Sequence, residues 1–312
     1  MSPPRYRRVT VLMGGWSAER AVSLNSGAAA ADALRKAGYT VAVLDVHRDP
    51  LRFLEDLRDS RPDVVFNALH GRFGEDGRIQ GMLDILGLPY THSGALASAL
   101  AMDKPAAKTV FAAAGIPVPE HVLVGADAFA DPDREPMARP YVVKPPNDGS
   151  SVAVYVVTEG SNALAALRQD WPYDGPAMVE RFIPGRELTV AVMGEGDAVR
   201  PLAVTEITTQ RGFYDYDAKY VTGGSVHVLP ADLDAATTAA CLELSARAHR
   251  ALGCRGVSRA DLRFDGRTPY LLEVNTQPGL TATSLVPEQA ALTGLSFPAL
   301  CAWMVEAAAC DG

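Results

Sequence analysis

Glu273 and Asn275 stand two positions apart in the run PYLLEVN at residues 269–275. In a strand both side chains leave by one face, because successive residues alternate sides. The run SRADLRF at 258–264 precedes it across Asp265-Gly266, so the two read as a hairpin with Asp261 on the partner strand. Adjacent strands lie ~4.8 Å apart. Two carboxylates and an amide oxygen on one face suit Mg²⁺, which takes oxygen ligands and keeps phosphate and water in its shell. An ordinary hairpin also carries Asp and Glu on its wet face, and these strands alone leave both readings open. The loop that follows, TQPGLTATSL at 276–285, tips the balance: its glycine and hydroxyls offer hydrogen-bond donors to a substrate carboxylate.

Three other segments have chemical potential. In KPPNDGSSV at 144–152 a strand ends in Lys144 and a Gly/Ser turn follows, a cradle for phosphate oxygens with a point charge beside it. A plain hairpin turn uses similar residues, and the Walker A pattern is absent. In GGWSAERAVS at 14–23 a double glycine leads into a helix N-terminus, an anion site by geometry. Glu19 there either complements the helix dipole or meets an ammonium group. The pattern is not G-x-G-x-x-G, so a dinucleotide fold is the weaker reading. In LHGRFGEDG at 69–77, His70 ends an apolar strand and enters a loop with three glycines and two acids. A lone histidine usually caps; at the C-terminal end of a strand in a Gly-rich loop, function is favoured.

The elements that would position these residues can be read from periodicity. Residues 9–13, 41–46 and 64–69 are apolar strands separated by an Ala-rich helix that runs through Lys36 and a helix at 51–59, the pattern of a parallel sheet with functional loops at its strand C-termini. Residues 97–114 read as one helix, closed by Gly115 and two prolines. Strands are expected at 122–124, 141–144, 152–157, 177–182, 188–193 and 202–207, with a helix near 162–169. Residues 208–230 read as a long irregular segment, and its three tyrosines favour a functional loop over disorder. Helices at about 235–252 and 299–309 flank the hairpin. The division that follows is 1–96, 97–183 and 184–312.

The bulk composition narrows the function. The chain has 312 residues, 48% hydrophobic and 21% charged, a globular profile too long for one ordinary core. A net charge of −8 argues against a nucleic-acid partner. The four cysteines form no C-x-x-C pair, so packed thiols are expected rather than zinc or disulfides. No apolar run reaches the ~18 residues of a membrane helix, and 9–13 is too short for a signal core. A cytoplasmic protein is expected.

Read in order, the motifs resemble the D-alanine–D-alanine ligase family of the ATP-grasp superfamily: G-G-x-S-x-E-R-x-V-S at 14–23, H-G-x-x-G-E-D-G at 70–77, S-A-L-A-M-D-K at 98–104, K-P-x-x-x-G-S-S-V at 144–152, F-Y-D-Y-D-A-K-Y at 213–220 and E-V-N-T-x-P-G-x-T-x-x-S-L-V-P at 273–287. The resemblance implies an α/β ATP-grasp fold, an N-terminal parallel-sheet subdomain with two α+β subdomains enclosing the nucleotide. It implies ligation of two D-alanines through an acyl-phosphate, for peptidoglycan precursors, in a homodimer. A sister ligase adding D-lactate or D-serine is the alternative. Lys104, Lys144 and Ser151 would hold ATP phosphates, with Ser150 in the same loop. Glu180, Phe182 and Ile183 would form the adenine hinge, and Glu187 would take the ribose. Asp261, Glu273 and Asn275 would bind two Mg²⁺ ions, with Mn²⁺ able to replace them. Glu19 would take the first D-alanine's ammonium, with His70 nearby, and Arg259 and Gly279 the reacting carbonyl oxygens. Ser284 and Leu285 would hold the second D-alanine. Lys219 and Tyr220 would sit in a closing lid, Tyr220 bridging to Ser150 and Glu19. The chain departs from the family pattern at Ala153, where glycine is common, at Trp16, and at Gln277, where a small residue is common.

Overall fold

A computed structural model describes residues 4–129, 135–147, 153–161, 163–164, 167, 171, 175–208, 225–281 and 283–311. The chain opens as expected with β1 (Arg8–Gly14), α1 (Arg20–Lys36), β2 (Thr40–Val46), α2 (Pro50–Ser60) and β3 (Val64–Asn67), followed by α3 (Arg78–Ile85). The strands form a parallel sheet in the order β2-β1-β3. Such a sheet must be covered on both faces. Val9, Val11 and Phe66 face one core, and Leu12 and Val65 face the other with Phe53, Leu57 and Leu83. Helix α3 was not expected: it is eight residues long with an internal Gly81, too short for a clear apolar period.

The helix expected over 97–114 is two, α4 (Ala95–Met102) and α5 (Lys104–Ala113). Asp103 breaks them with extended ψ of 92° and caps the second, its carboxylate accepting from the Ala106 N–H at 3.0 Å. Pro105 fits the first turn of α5, where its missing N–H costs nothing, but would break the interior of a continuous helix. Both helices pack with the sheet of the last third of the chain: Ala97, Ala101, Ala107 and Phe111 share a core with Leu188, Val190 and Leu262.

Strands β4 (His121–Val124), β5 (Tyr141–Lys144), β6 (Tyr155–Val157) and β7 (Ala177–Arg181) form an antiparallel sheet ordered β4-β7-β5-β6. A second antiparallel sheet, ordered β10-β9-β8-β11-β12, contains β8 (Arg186–Met193), β9 (Arg200–Thr208), β10 (Val226–Val228), β11 (Val257–Phe264) and β12 (Pro269–Asn275). Strand β10 corrects the reading of 208–230 as wholly irregular; three residues at a sheet edge leave no alternation to detect. Helix α6 (Ala235–Ala251) packs against this sheet. Helix α7 (Leu285–Leu292) was missed, because Pro287 sits inside it, tolerated only in the first turn. Helix α8 (Phe297–Glu306) returns to the parallel sheet, its Leu300 and Met304 in the core with Ala30 and Leu34 of α1. Among the described residues no helix is long and apolar enough to cross a membrane. Cys241, Cys254 and Cys301 are buried free thiols and Cys310 is partly exposed, as expected.

Candidate active site

The hairpin has the expected register. Asp261 pairs with Glu273 and Arg259 with Asn275, so the four share one face of the sheet. Strand parity puts Ala260, Leu262 and Val274 in the core while these polar side chains are only partly buried, and a register shift beside Asp261 turns Leu271 inward as well. The Arg259 guanidinium grips Asp261 with both arms, Nε to Oδ1 at 2.8 Å and a terminal nitrogen to Oδ2 at 2.6 Å. Thr189, opposite Asp261 on β8, donates to Oδ1 at 2.7 Å. Lys104 opens α5 and brings its ammonium to 3.6 Å from Glu273.

Further along the same face, Arg263 is opposite Glu187. It donates to the Glu187 carboxylate at 3.2 Å and to the Ile183 carbonyl at 3.1 Å, with its guanidinium 5.4 Å from the centre of the Phe182 ring. Arg263 thus braces three residues expected around adenine and ribose. The motifs assign Arg263 no role, because its partners Glu187 and Ile183 lie about eighty residues away in the chain.

Lys144 ends β5 as expected and is hydrogen-bonded to Glu180 of β7. Lys108, one turn past Lys104 on α5, puts its ammonium 3.1 Å from the other Glu180 oxygen. Burial pushes the Glu180 carboxyl up, but the two lysine charges outweigh it and hold the group at about 2. The side chain expected at the adenine hinge is therefore an ionised carboxylate held between two ammonium groups.

At the ends of the parallel strands, Glu19 and His70 come together. Ser17 donates to the His70 carbonyl at 2.7 Å and receives the Glu19 N–H at 3.2 Å. Gly71, at φ 71°, favours glycine: that conformation strains a residue with a side chain, and a Cβ there would meet a Glu19 carboxylate oxygen at 2.6 Å. Burial drives the His70 imidazole down to about 4, so it is neutral at physiological pH. Its Nε2 hydrogen-bonds Ser26 Oγ at 3.1 Å. Glu75, part of the H-G-x-x-G-E motif, is buried and accepts from the Gly71 N–H at 2.9 Å. Burial, then the charge of Glu19, raises its carboxyl well above the usual range.

Two of the three departures from the family pattern now have reasons. Gln277 is buried and crosses to β3, accepting from Asn67 Nδ2 at 2.9 Å and donating to the Leu69 carbonyl beside His70. Trp16 lies against Phe73 with ring centroids 5.0 Å apart. Ala153 adopts φ 53°, the left-handed region. That conformation costs a residue with a side chain about 1–2 kcal/mol, more than the entropy glycine would lose, about 0.5–1 kcal/mol. Ala153→Gly is therefore expected to raise the thermal denaturation midpoint slightly; a fall would contradict this account.

A cavity of about 480 Å³ is lined by Glu19, His70 and Glu75 from the first third of the chain and by Lys104, Arg259, Glu273 and Asn275. Gly279, Ser284 and Leu285 complete the lining. Ser284 precedes the first residue of α7, and its hydroxyl lies 2.8 Å from Thr281 Oγ1 and accepts from the Thr281 N–H at 3.0 Å. Asp261, Lys144, Glu180, Phe182, Ile183 and Glu187 lie outside this lining, on adjoining strands and turns. Ser150, Ser151, Lys219 and Tyr220 lie outside the described residues.

Two family models match the chain, "D-ala D-ala ligase C-terminus" over residues 110–306 and "D-ala D-ala ligase N-terminus" over 49–93. A D-alanine–D-alanine ligase from Rhodospirillum rubrum is 64% identical, covering 98% of this chain and 99% of its own length. One from Paramagnetospirillum magneticum is 58% identical with coverages of 98% and 99%. The crystal structure of a D-alanine–D-alanine ligase from Bacillus anthracis complexed with ATP superposes with a TM-score of 0.79 at 28% identity, covering 96% of this chain and 97% of that one. With both terminal models matched in order and relatives of this identity aligned over nearly the whole length, the chain belongs to the D-alanine–D-alanine ligase family.

Proposed function

We propose that this chain uses ATP to join two D-alanines into D-alanyl-D-alanine for peptidoglycan precursors, in the cytoplasm. The observation that carries the reading is one cavity lined by the Glu19 carboxylate, the Ser284 hydroxyl before a helix N-terminus, and Lys104, Arg259 and Glu273. Glu19 would receive the first D-alanine's ammonium. Its carboxylate is a poor electrophile, so the terminal phosphoryl group of ATP is transferred to it. The amine of the second D-alanine, after losing a proton, attacks the resulting acyl-phosphate, and phosphate leaves. Arg259 and the Gly279 backbone N–H would stabilise the negative charge that develops on the carbonyl oxygen. Ser284 and the first turn of α7 would hold the second D-alanine's carboxylate, which suits the positive end of the helix dipole. Leu285 would pack beside its methyl group.

Lys104, Lys144 and Ser151 would hold the phosphates, Glu180, Phe182 and Ile183 would surround adenine, and Glu187 would meet the ribose. Asp261, Glu273 and Asn275 fit a hard cation, because cross-strand pairing puts their oxygen donors on one face next to a lysine that would share the phosphates. Mg²⁺ held there would neutralise phosphate oxygens that otherwise repel the attacking carboxylate. Lys219, Tyr220 and Ser150 belong to the proposed closing lid, which would keep water from hydrolysing the acyl-phosphate.

The test is phosphate release across D- and L-amino acids, followed by competition between equal D-alanine and D-lactate at neutral pH. Peptide should dominate; comparable amounts of ester would overturn the acceptor assignment and favour the depsipeptide alternative. We further propose a homodimer through the first unit, where Leu51, Ile85 and Leu96 stand exposed. Light scattering that returned the mass of one chain would refute it.

A further inference from the structure

Lys108 has no part in the reaction as set out above, yet it is the least accessible charge near the site. Its side chain is 0% exposed, against 4% for Glu180 and 9% for Lys144. It starts from α5, whose neighbours Ala107 and Phe111 pack with the five-stranded sheet, and reaches Glu180 in the four-stranded one. Lysine is almost never fully buried without a partner, and the partner here is shared. Lys108 is ion-paired with one Glu180 oxygen at 3.1 Å without hydrogen-bond geometry, and Lys144 hydrogen-bonds the other. Two cations therefore serve one carboxylate, and of the two only Lys144 has any side-chain exposure.

A buried ion pair has a known weakness. Withdrawing one partner strands the other charge in a medium that solvates it poorly. If Lys144 were the sole counterion of Glu180, moving its ammonium to a phosphate oxygen would leave that carboxylate bare. With Lys108 in place it does not. We infer that Lys108 is a positioning residue for nucleotide binding: it is the standing counterion of Glu180, and its presence frees Lys144 to leave the carboxylate for a phosphate. Burial lowers the Lys108 ammonium pKa and the Glu180 charge opposes that fall, so the pairing supports both ionised forms. The inference rests on the proposed role of Lys144 at the phosphates.

The test is a cycle of Lys108→Met and Glu180→Gln on the full chain, with binding of a non-hydrolysable ATP analogue and Mg²⁺ measured by calorimetry. In the wild-type background Lys108→Met should weaken binding by at least about tenfold, since Lys144 must then abandon an unpaired buried charge. In the Glu180→Gln background no carboxylate remains to strand, and Lys108→Met should change binding by less than about threefold. Equal losses in the two backgrounds would show that Lys108 merely ties the sheets together and would overturn the inference. Should Lys108→Met fail to fold alone, the Glu180→Gln background decides: a loss of about tenfold there overturns it, and a near-silent change supports it. Lys144→Met is the control. If it binds the analogue as well as wild type does, the role of Lys144 fails. If it binds poorly while Lys108→Met is unaffected, only the role of Lys108 fails.

Discussion

Glu273→Gln is expected to fold normally and to lose turnover by roughly 10²- to 10³-fold, about 3–4 kcal/mol of transition-state stabilisation. The substitution keeps the shape of the side chain and removes one of the two carboxylates that face each other across the hairpin. Folding should survive because the Lys104 contact at 3.6 Å is partly exposed, and such pairs contribute about 0–1 kcal/mol. The diagnostic readout is metal dependence. A neutral amide is a weaker donor to a hard cation than a carboxylate, so half-saturating Mg²⁺ should rise along with the fall in turnover. An unchanged Mg²⁺ titration would remove Glu273 from the proposed metal site, whatever happened to the rate.

Arg259→Lys is expected to lower kcat by about 10²-fold while the melting midpoint stays near that of the parent. Arginine holds Asp261 through two nitrogens, which fixes the plane of the guanidinium and aims its remaining N–H groups. Lysine keeps the positive charge, so Asp261 is not stranded, and Thr189 still donates to it at 2.7 Å. What is lost is the planar fork, and with it the geometry for bracing one carboxylate while donating to a developing oxyanion. Because that interaction belongs to the transition state, kcat should fall with little change in the KM for ATP. Wild-type turnover in the lysine variant would place Arg259 outside the reacting centre and leave it as a support for Asp261.

Much of this was legible in the residues because the backbone enforces it locally. A strand alternates its faces, so the spacing of Glu273 and Asn275 put them on one side before any coordinates were known, and the register with Asp261 followed from the hairpin. Glycines beside apolar strands marked the C-terminal ends of the parallel sheet, where Glu19 and His70 are found. The helix break at Asp103 was also written locally, in an acidic cap followed by Pro105, but it was overridden by the apolar run on either side.

Other features depend on partners distant in the chain. Arg263 belongs to no motif, and its place in the site depends on Glu187, which lies opposite it on β8. Gln277 stands where a small residue is common, and only the packing of its loop against the parallel sheet brings it to Asn67 and the Leu69 carbonyl. Lys108 stands four places after Lys104, outside every motif. Its burial follows from α5 packing with one sheet while Glu180 belongs to the other. Periodicity is a property of one segment and can be read from it. A buried charge is stable only where a second segment supplies its counterion, and which segment does so is decided by the packing of the whole chain.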